Sequence, residues 1–154
     1  MRFKYSFLAV ILIATGLLGW MLLSTDTPAR ADGLFPYDDP ATLALGKPLY
    51  DDNCASCHGT NLEGEANWRK RDADGYLPAP PHDASGHTWH HPDKQLFAIT
   101  KHGTSALVGN GYQSRMAGFS DHLSDEEILA VLAYIKSTWS PRIIARHNQM
   151  NAQK

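Results

Sequence analysis

The 154-residue chain predicts an all-α fold, on three observations. Alternating runs of β-branched residues are scarce throughout, so no strand pattern competes with helix. Asp39-Pro40 offers an N-cap followed by the first helical position, where proline is tolerated, and Ser124 with Glu127 forms a capping box. Between these two starts lie long stretches rich in Gly, Pro, Asp and His, which favour loops.

Taken from the N-terminus, Arg2 and Lys4 precede Phe7–Leu23, "FLAVILIATGLLGWMLL", seventeen residues without a charge. Basic residues ahead of an apolar run stay in the cytoplasm, so everything after Leu23 is expected to be exported. The run exceeds the usual h-region of roughly 7–15 residues. It is close to the length that spans a bilayer, which favours an anchor over residues 7–23 holding the remainder at the periplasmic side of a bacterial inner membrane. Ala29-Arg30-Ala31 fits a small-x-small cleavage pattern, so a soluble periplasmic protein cut near Ala31 stays open as the alternative. The organisation that follows is a signal or anchor segment at 1–23, a polar linker at 24–38, a domain at 39–140 and a polar tail at 141–154.

The first helix of the domain is expected from Asp39-Pro40 through "ATLALGKPLYDDNC", with Leu43, Leu45, Leu49 and Tyr50 as buried positions. Pro48 sits badly there, because it lacks an N–H and clashes with the carbonyl four residues back; it implies a kink or a later start. Residues 59–92 read as loop. A short helix is expected at Pro92–Lys101, with Leu96, Phe97 and Ile99 on its apolar side, followed by a glycine-containing loop. The last helix opens at the capping box, with Asp125 and Glu126 in the turn where the helix dipole favours acid. Ile128, Leu129, Leu132 and Ile135 follow at helical spacing, and Pro141 limits it.

The chain has 14 basic and 16 acidic side chains; without residues 1–31 it keeps 11 and 15, a balance of −4. An acidic domain of this size lacks the basic stripe that nucleic acid requires.

Both cysteines lie in "NCASCHGTNLEGE", with His58 directly after Cys57. A redox dithiol calls for a strand before Cys54 in a βαβ setting, and none is present. A zinc site calls for four ligands at closed-site spacing, and no second cysteine pair exists. Haem attachment needs nothing further: the thiols of Cys54 and Cys57 can add to two porphyrin vinyl groups, which leaves His58 under the iron as a ligand. A six-coordinate haem then needs a second ligand. Met1 and Met21 lie in the leader and Met150 in the polar tail, which leaves Met116, 58 residues after His58 in "SRMAGF".

With these residues in view, the span from Asp39 to Trp139 resembles a class I (monohaem) c-type cytochrome. The resemblance rests on "CASCHG", on the methionine at this distance, and on "GKPLY", a glycine followed four residues later by an aromatic. It implies a cytochrome c-like fold in which the N- and C-terminal helices cross, Gly46 and Tyr50 meeting the last helix near Val131 and Tyr134, with long loops around one covalent haem c. It also implies a proline carbonyl that accepts the His58 Nδ1–H, for which "LPAPPH" offers Pro80 or Pro81. One departure is Ala117, where the family often has a proline after the methionine, so the loop is expected to be less rigid.

"PHDASGHTWHHPD" places His82, His87, His90 and His91 around Trp89. Three readings compete: Trp89 with a histidine hydrogen-bonds haem propionates, the segment is ordinary loop packing, or the imidazoles bind a second metal such as copper. A histidine could also replace Met116 on the iron. Arg69, Lys70 and Arg71 form a basic run that reads as solvated loop, as a dock for an acidic redox partner, or as reaching a propionate.

The expected function is a one-electron carrier, not an enzyme, working between periplasm-facing redox proteins such as a membrane respiratory complex or an oxidase. The alternatives are the electron-accepting haem c subunit of a periplasmic dehydrogenase, and a ligand- or copper-handling haem protein.

Overall fold

The computed structural model describes residues 33–153, in which six α-helices and one 3-10 turn form and no strand is present. The helices are α1 (Pro40–Asn53), α2 (Ala55–His58), α3 (Asp93–His102), α4 (Thr104–Val108), α5 (Asp125–Ser137) and α6 (Pro141–Ala152). The 3-10 turn is Thr88–His90. No helix among the described residues is long and apolar enough to cross a membrane. The apolar run at 7–23 and the cleavage pattern at Ala31 lie outside the described residues.

The Asp39 carboxylate caps α1 by accepting the Thr42 N–H at 3.1 Å. The helix runs through Pro48 to Asn53 without starting late. Pro48 and Ala44 are both exposed, so the carbonyl that loses its intrahelical partner faces water and not the core. The packing face is narrower than the sequence predicts. Gly46 and Tyr50 are buried and Leu43 and Leu49 half-buried, whereas Leu45 is 41% exposed on the outer side.

The capping box of α5 forms as expected, with Ser124 Oγ accepting the Glu127 N–H and the Glu127 carboxylate accepting the Ser124 N–H. Ile128, Ala130, Val131, Leu132, Ala133 and Ile135 are buried, and they pack chiefly on α1. The crossing point is Gly46. A Cβ there would stand 2.0 Å from the Ala130 carbonyl oxygen and 2.5 Å from its carbon, so only a glycine lets the two backbones approach this closely. Tyr50, one turn on, is fully buried with its ring 5.5 Å from that of Tyr134.

Two segments read as accessory belong to the packed unit. At the end of the expected linker, Phe35 is buried and the Leu34 N–H donates to Asp93 Oδ2 at 2.7 Å. The expected polar tail is a twelve-residue helix, α6, started by Ser140 and Pro141 in the same N-cap and first-position arrangement that starts α1. It docks through apolar and polar contacts together: Ile143 and Ile144 pack against the core, and a buried polar cluster forms beside them. Asp93, Lys136 and His147 are each almost fully buried and meet beneath the Leu34–Tyr37 segment. Asp93 Oδ1 lies 3.8 Å from Lys136 Nζ and 3.5 Å from His147 Nε2, and it accepts from Asn151 Nδ2 at 3.1 Å. The Lys136 ammonium also sits 4.8 Å from the centre of the Tyr37 ring, a cation–π contact.

His147 is held neutral in this cluster. Its Nε2–H donates to the His91 carbonyl at 2.9 Å, while Nδ1 faces the Asn151 amide N–H at 3.4 Å, which suits an unprotonated nitrogen. Burial first, and the Lys136 charge second, push its pKa below the ordinary 6.5, against smaller upward pulls from the His91 hydrogen bond and from Asp93. A histidine with a lowered folded-state pKa takes up its proton more readily in the unfolded chain. Its contribution to stability is therefore present above pH 6.5 and is lost as the pH falls towards the folded value. Chemical denaturation between pH 7 and 5 is expected to show this loss in the wild type and a flatter profile in His147→Gln. Gly46→Ala is expected to destabilise the fold by about 3 kcal/mol through overpacking against backbone, read as a lowered thermal midpoint with the haem attached.

Candidate functional site

The site begins where α1 ends. The Cys54 N–H donates to the Tyr50 carbonyl at 2.8 Å, and the chain turns at Cys54 into α2, the single turn that carries Cys57 and His58. Tyr50 Oη donates to the Gly59 carbonyl at 2.7 Å, so the ring that packs the helix crossing also fixes the residue after His58. Both cysteines are free, with Cys57 exposed and Cys54 half-buried. Burial, with a smaller effect from Cys57, pushes the Cys54 thiol up to about 11. A redox dithiol works through a depressed thiol pKa, so the environment of Cys54 argues against that chemistry.

His58 is buried, and its Nδ1 lies 2.8 Å from the Pro80 carbonyl. A carbonyl can only accept, so Nδ1 carries the hydrogen and Nε2 is left with its lone pair. Burial keeps the ring neutral by lowering its pKa, against a smaller upward effect of the Pro80 hydrogen bond. Pro80, and not Pro81, supplies the carbonyl next to His58, because the Pro81 carbonyl turns instead to Thr88 Oγ1 at 3.4 Å.

A ladder of backbone bonds brings Pro80 there. Gly64 N–H donates to the His58 carbonyl, Glu65 N–H to Ala79 and His82 N–H to Leu62, each at 2.8 Å. At Gly64 the backbone has φ +68°, and a Cβ would stand 2.5 Å from the Pro81 nitrogen. A side chain at that position would push the proline segment away from His58.

The histidine-rich loop is dispersed among separate contacts. The His82 ring stacks on His58 with centroids 4.0 Å apart, and its Nδ1–H donates to Thr88 Oγ1 at 2.8 Å. His87 packs edge-on against Trp68 and His91, at 5.1 and 5.4 Å. His90 lies against Trp89, and the His91 carbonyl serves His147. Among the described residues no three His, Cys, Asp or Glu side chains gather as a metal site, which removes the structural basis for a copper cluster. Trp89 differs from its neighbours: its indole N–H is buried with no acceptor, while its ring faces the Arg146 guanidinium at 5.4 Å. Such a buried donor costs about 1–3 kcal/mol unless a partner arrives.

Met116 is half-buried in the segment between α4 and α5. The segment is pinned after the methionine by the Gly103–Ala117 bridge and by Phe119 and Ser120 N–H groups that donate to Thr100 and Lys101 at 3.0 and 3.1 Å. The contact absent from any sequence pattern comes before it. Arg115 reaches the Asp72 and Asp74 carboxylates of the 65–79 loop.

Two thiols, one at the N-cap of a one-turn helix and one within it, an imidazole with its outer nitrogen free and its inner one anchored, and a buried indole donor without an acceptor fit a covalently bound haem with a carboxylate-bearing edge. The comparisons agree. The family model for cytochrome c matches residues 43–139. The cbb3-type cytochrome c oxidase subunit CcoP of Azospirillum brasilense is 30% identical over 97 residues, covering 63% of this chain and 28% of the relative. The cytochrome bc1 complex cytochrome c subunit of Mycobacterium leprae is 44% identical over 57 residues, covering 37% of this chain and 18% of the relative. The chain thus spans less than a third of the length of these relatives. No solved structure matches significantly. The chain belongs to the cytochrome c family, and its cofactor is a covalently bound haem c.

Proposed function

We propose that the protein is a one-electron carrier with His58 and Met116 as the axial ligands of its haem iron. The observation that carries this reading is the His58 Nδ1–H bond to Pro80, which leaves Nε2 unprotonated at neutral pH and fixes the ring plane. When bound, the haem supplies a single Fe(III)/Fe(II) couple and, with both axial positions filled, no site for substrate. Cys54 and Cys57 tether it so that it is not lost outside the cytoplasm. Pro80 keeps the imidazole oriented and raises its basicity. The soft thioether of Met116 favours Fe(II) more than a second imidazole would. The Trp89 indole N–H is directed to a haem propionate, which supplies the acceptor that the protein does not.

The electron partners proposed are periplasm-facing respiratory proteins, of the oxidase or bc1 kind. The similarity to subunits named for those complexes supports this choice over a dehydrogenase partner. An anchor at residues 7–23 would hold the domain beside such partners and raise its effective concentration.

The oxidised holoprotein is expected to show the sulfur-to-iron charge-transfer band, and Met116→Ala is expected to lose it. The midpoint potential of the variant should fall, within the roughly 0.8 V that axial ligation governs. Carbon monoxide should bind the reduced variant readily and the reduced wild type hardly at all. Rapid binding to the wild type at neutral pH would instead mark a ligand-handling protein with an open position.

A further inference from the structure

The loop 65–79 lies between the two halves of the haem site. It is closed at its base by the Glu65 N–H to Ala79 carbonyl bond at 2.8 Å and by the Glu65 carboxylate accepting the Ala79 N–H at 2.6 Å, directly before Pro80. Its tip is a tight turn. The Asp72 N–H donates to the Tyr76 carbonyl at 2.9 Å, and Asp72 Oδ1 accepts from the Asp74 and Tyr76 N–H groups at 3.0 and 2.9 Å. This turn aims one oxygen of Asp72 outward at a fixed angle.

Arg115, the residue before Met116, fills that position. One guanidinium nitrogen pairs with Asp72 Oδ2 and the other with Asp74 Oδ2 at 3.1 Å, while the guanidinium carbon sits 4.4 Å from the centre of the Tyr76 ring. The contact is returned. Arg71 of the loop lies 5.7 Å from the ring centre of Tyr112, and its Nη1 donates to the Gly75 carbonyl at 2.5 Å. Each segment lends an arginine to the other's tyrosine. A lone exposed ion pair contributes little, but a planar fork held by two carboxylates and stacked on a ring is geometrically defined.

We propose that Arg115 is a positioning residue for Met116: its guanidinium fastens the 112–116 segment to the turn at 72–76 and limits how often the methionine can swing away. The inference rests on the Met116 ligation proposed above. It gives the segment a restraint on its N-terminal side, as the Gly103–Ala117 bridge does on its C-terminal side, where the sequence has Ala117 in place of a stiffening proline. The Arg115 hydrogen bond, ahead of smaller influences, holds the Asp72 carboxyl below its usual range, so the fastening is charged at neutral pH.

The test is imidazole affinity of the oxidised holoprotein, since an external ligand can enter only while the methionine is away and its apparent affinity scales with that open population. Arg115→Gln is expected to keep the charge-transfer band but bind imidazole about three- to tenfold more tightly. Asp72→Asn with Asp74→Asn should do the same. Arg115→Lys should fall between, because an ammonium keeps the charge but not the fork. Raising the salt concentration should move the wild type towards Arg115→Gln and leave that variant unchanged. Lys47→Gln, which removes the surface pair with Asp51, should match the wild type throughout. Wild-type imidazole affinity in Arg115→Gln, or a gain explained by an equal loss of global stability on thermal unfolding, would overturn the assignment. A wild type without the charge-transfer band, or Met116→Ala that binds imidazole no more tightly than the wild type, would remove the ligation and the fastening together.

Discussion

The close backbone approach of Gly46 to the Ala130 carbonyl is the contact from which the position of His58 follows. With the helices this close, Tyr50 is driven into the interior between α1 and Tyr134. Its hydroxyl then cannot stay idle in an apolar surround, and it ends on the Gly59 carbonyl. That bond places the residue after His58, so an ångström of separation between α1 and α5 would be transmitted to the imidazole through a rigid ring. The Pro80 carbonyl meets that imidazole from the other side, carried by the ladder of bonds between residues 58–65 and 79–82. His58 is thus located by two independent scaffolds, one of packing and one of backbone hydrogen bonds.

The features legible in the sequence were those that local chemistry dictates. Asp39-Pro40 and the Ser124/Glu127 box start helices because their side chains satisfy free N–H groups within three residues. Cys54, Cys57 and His58 were legible because attachment chemistry demands their spacing. Gly46 and Tyr50 were legible through family resemblance, since nothing local distinguishes a crossing glycine from a helix-weakening one. What was missed depends on distant partners. Leu45 looks like core by hydropathy, yet its direction on α1 is settled by where Gly46 meets α5. Residues 141–152 looked like a tail because their mean hydropathy is low, although Ser140-Pro141 repeats the signal that was read correctly at Asp39-Pro40. Their buried side mixes Ile143 and Ile144 with His147 and Asn151, and a pattern search keyed to apolar periodicity passes over it.

That polar side explains how a small domain closes its ends. At the junction of residues 34–37, α3, α5 and α6, the Asp93–Lys136–His147–Asn151 network is enclosed by apolar side chains such as Phe35 and Trp139. Burying such groups is unfavourable unless each finds its complement, and a pairing that works tolerates few other arrangements. The network is therefore a weak source of stability but a stringent one for register: α6 slid by one residue would take Asn151 and His147 away from Asp93 and leave the His91 carbonyl without its donor.

The same reasoning separates the two buried side-chain nitrogens that lack a hydrogen-bond acceptor among the described residues, Lys136 Nζ and Trp89 Nε1. Lys136 has compensation within the protein, from the Asp93 carboxylate at 3.8 Å and the face of Tyr37 at 4.8 Å. Trp89 has none of that kind: the group facing its ring is another cation, Arg146, and its N–H points at no protein oxygen. An indole left this way in a water-excluded position gains when something outside the polypeptide accepts its hydrogen bond. A carboxylate suits that place on two counts, because it accepts from the indole and its charge complements the nearby guanidinium. The proposed propionate contact of Trp89 and the proposed iron ligation by His58 would each supply the partner that the polypeptide leaves out.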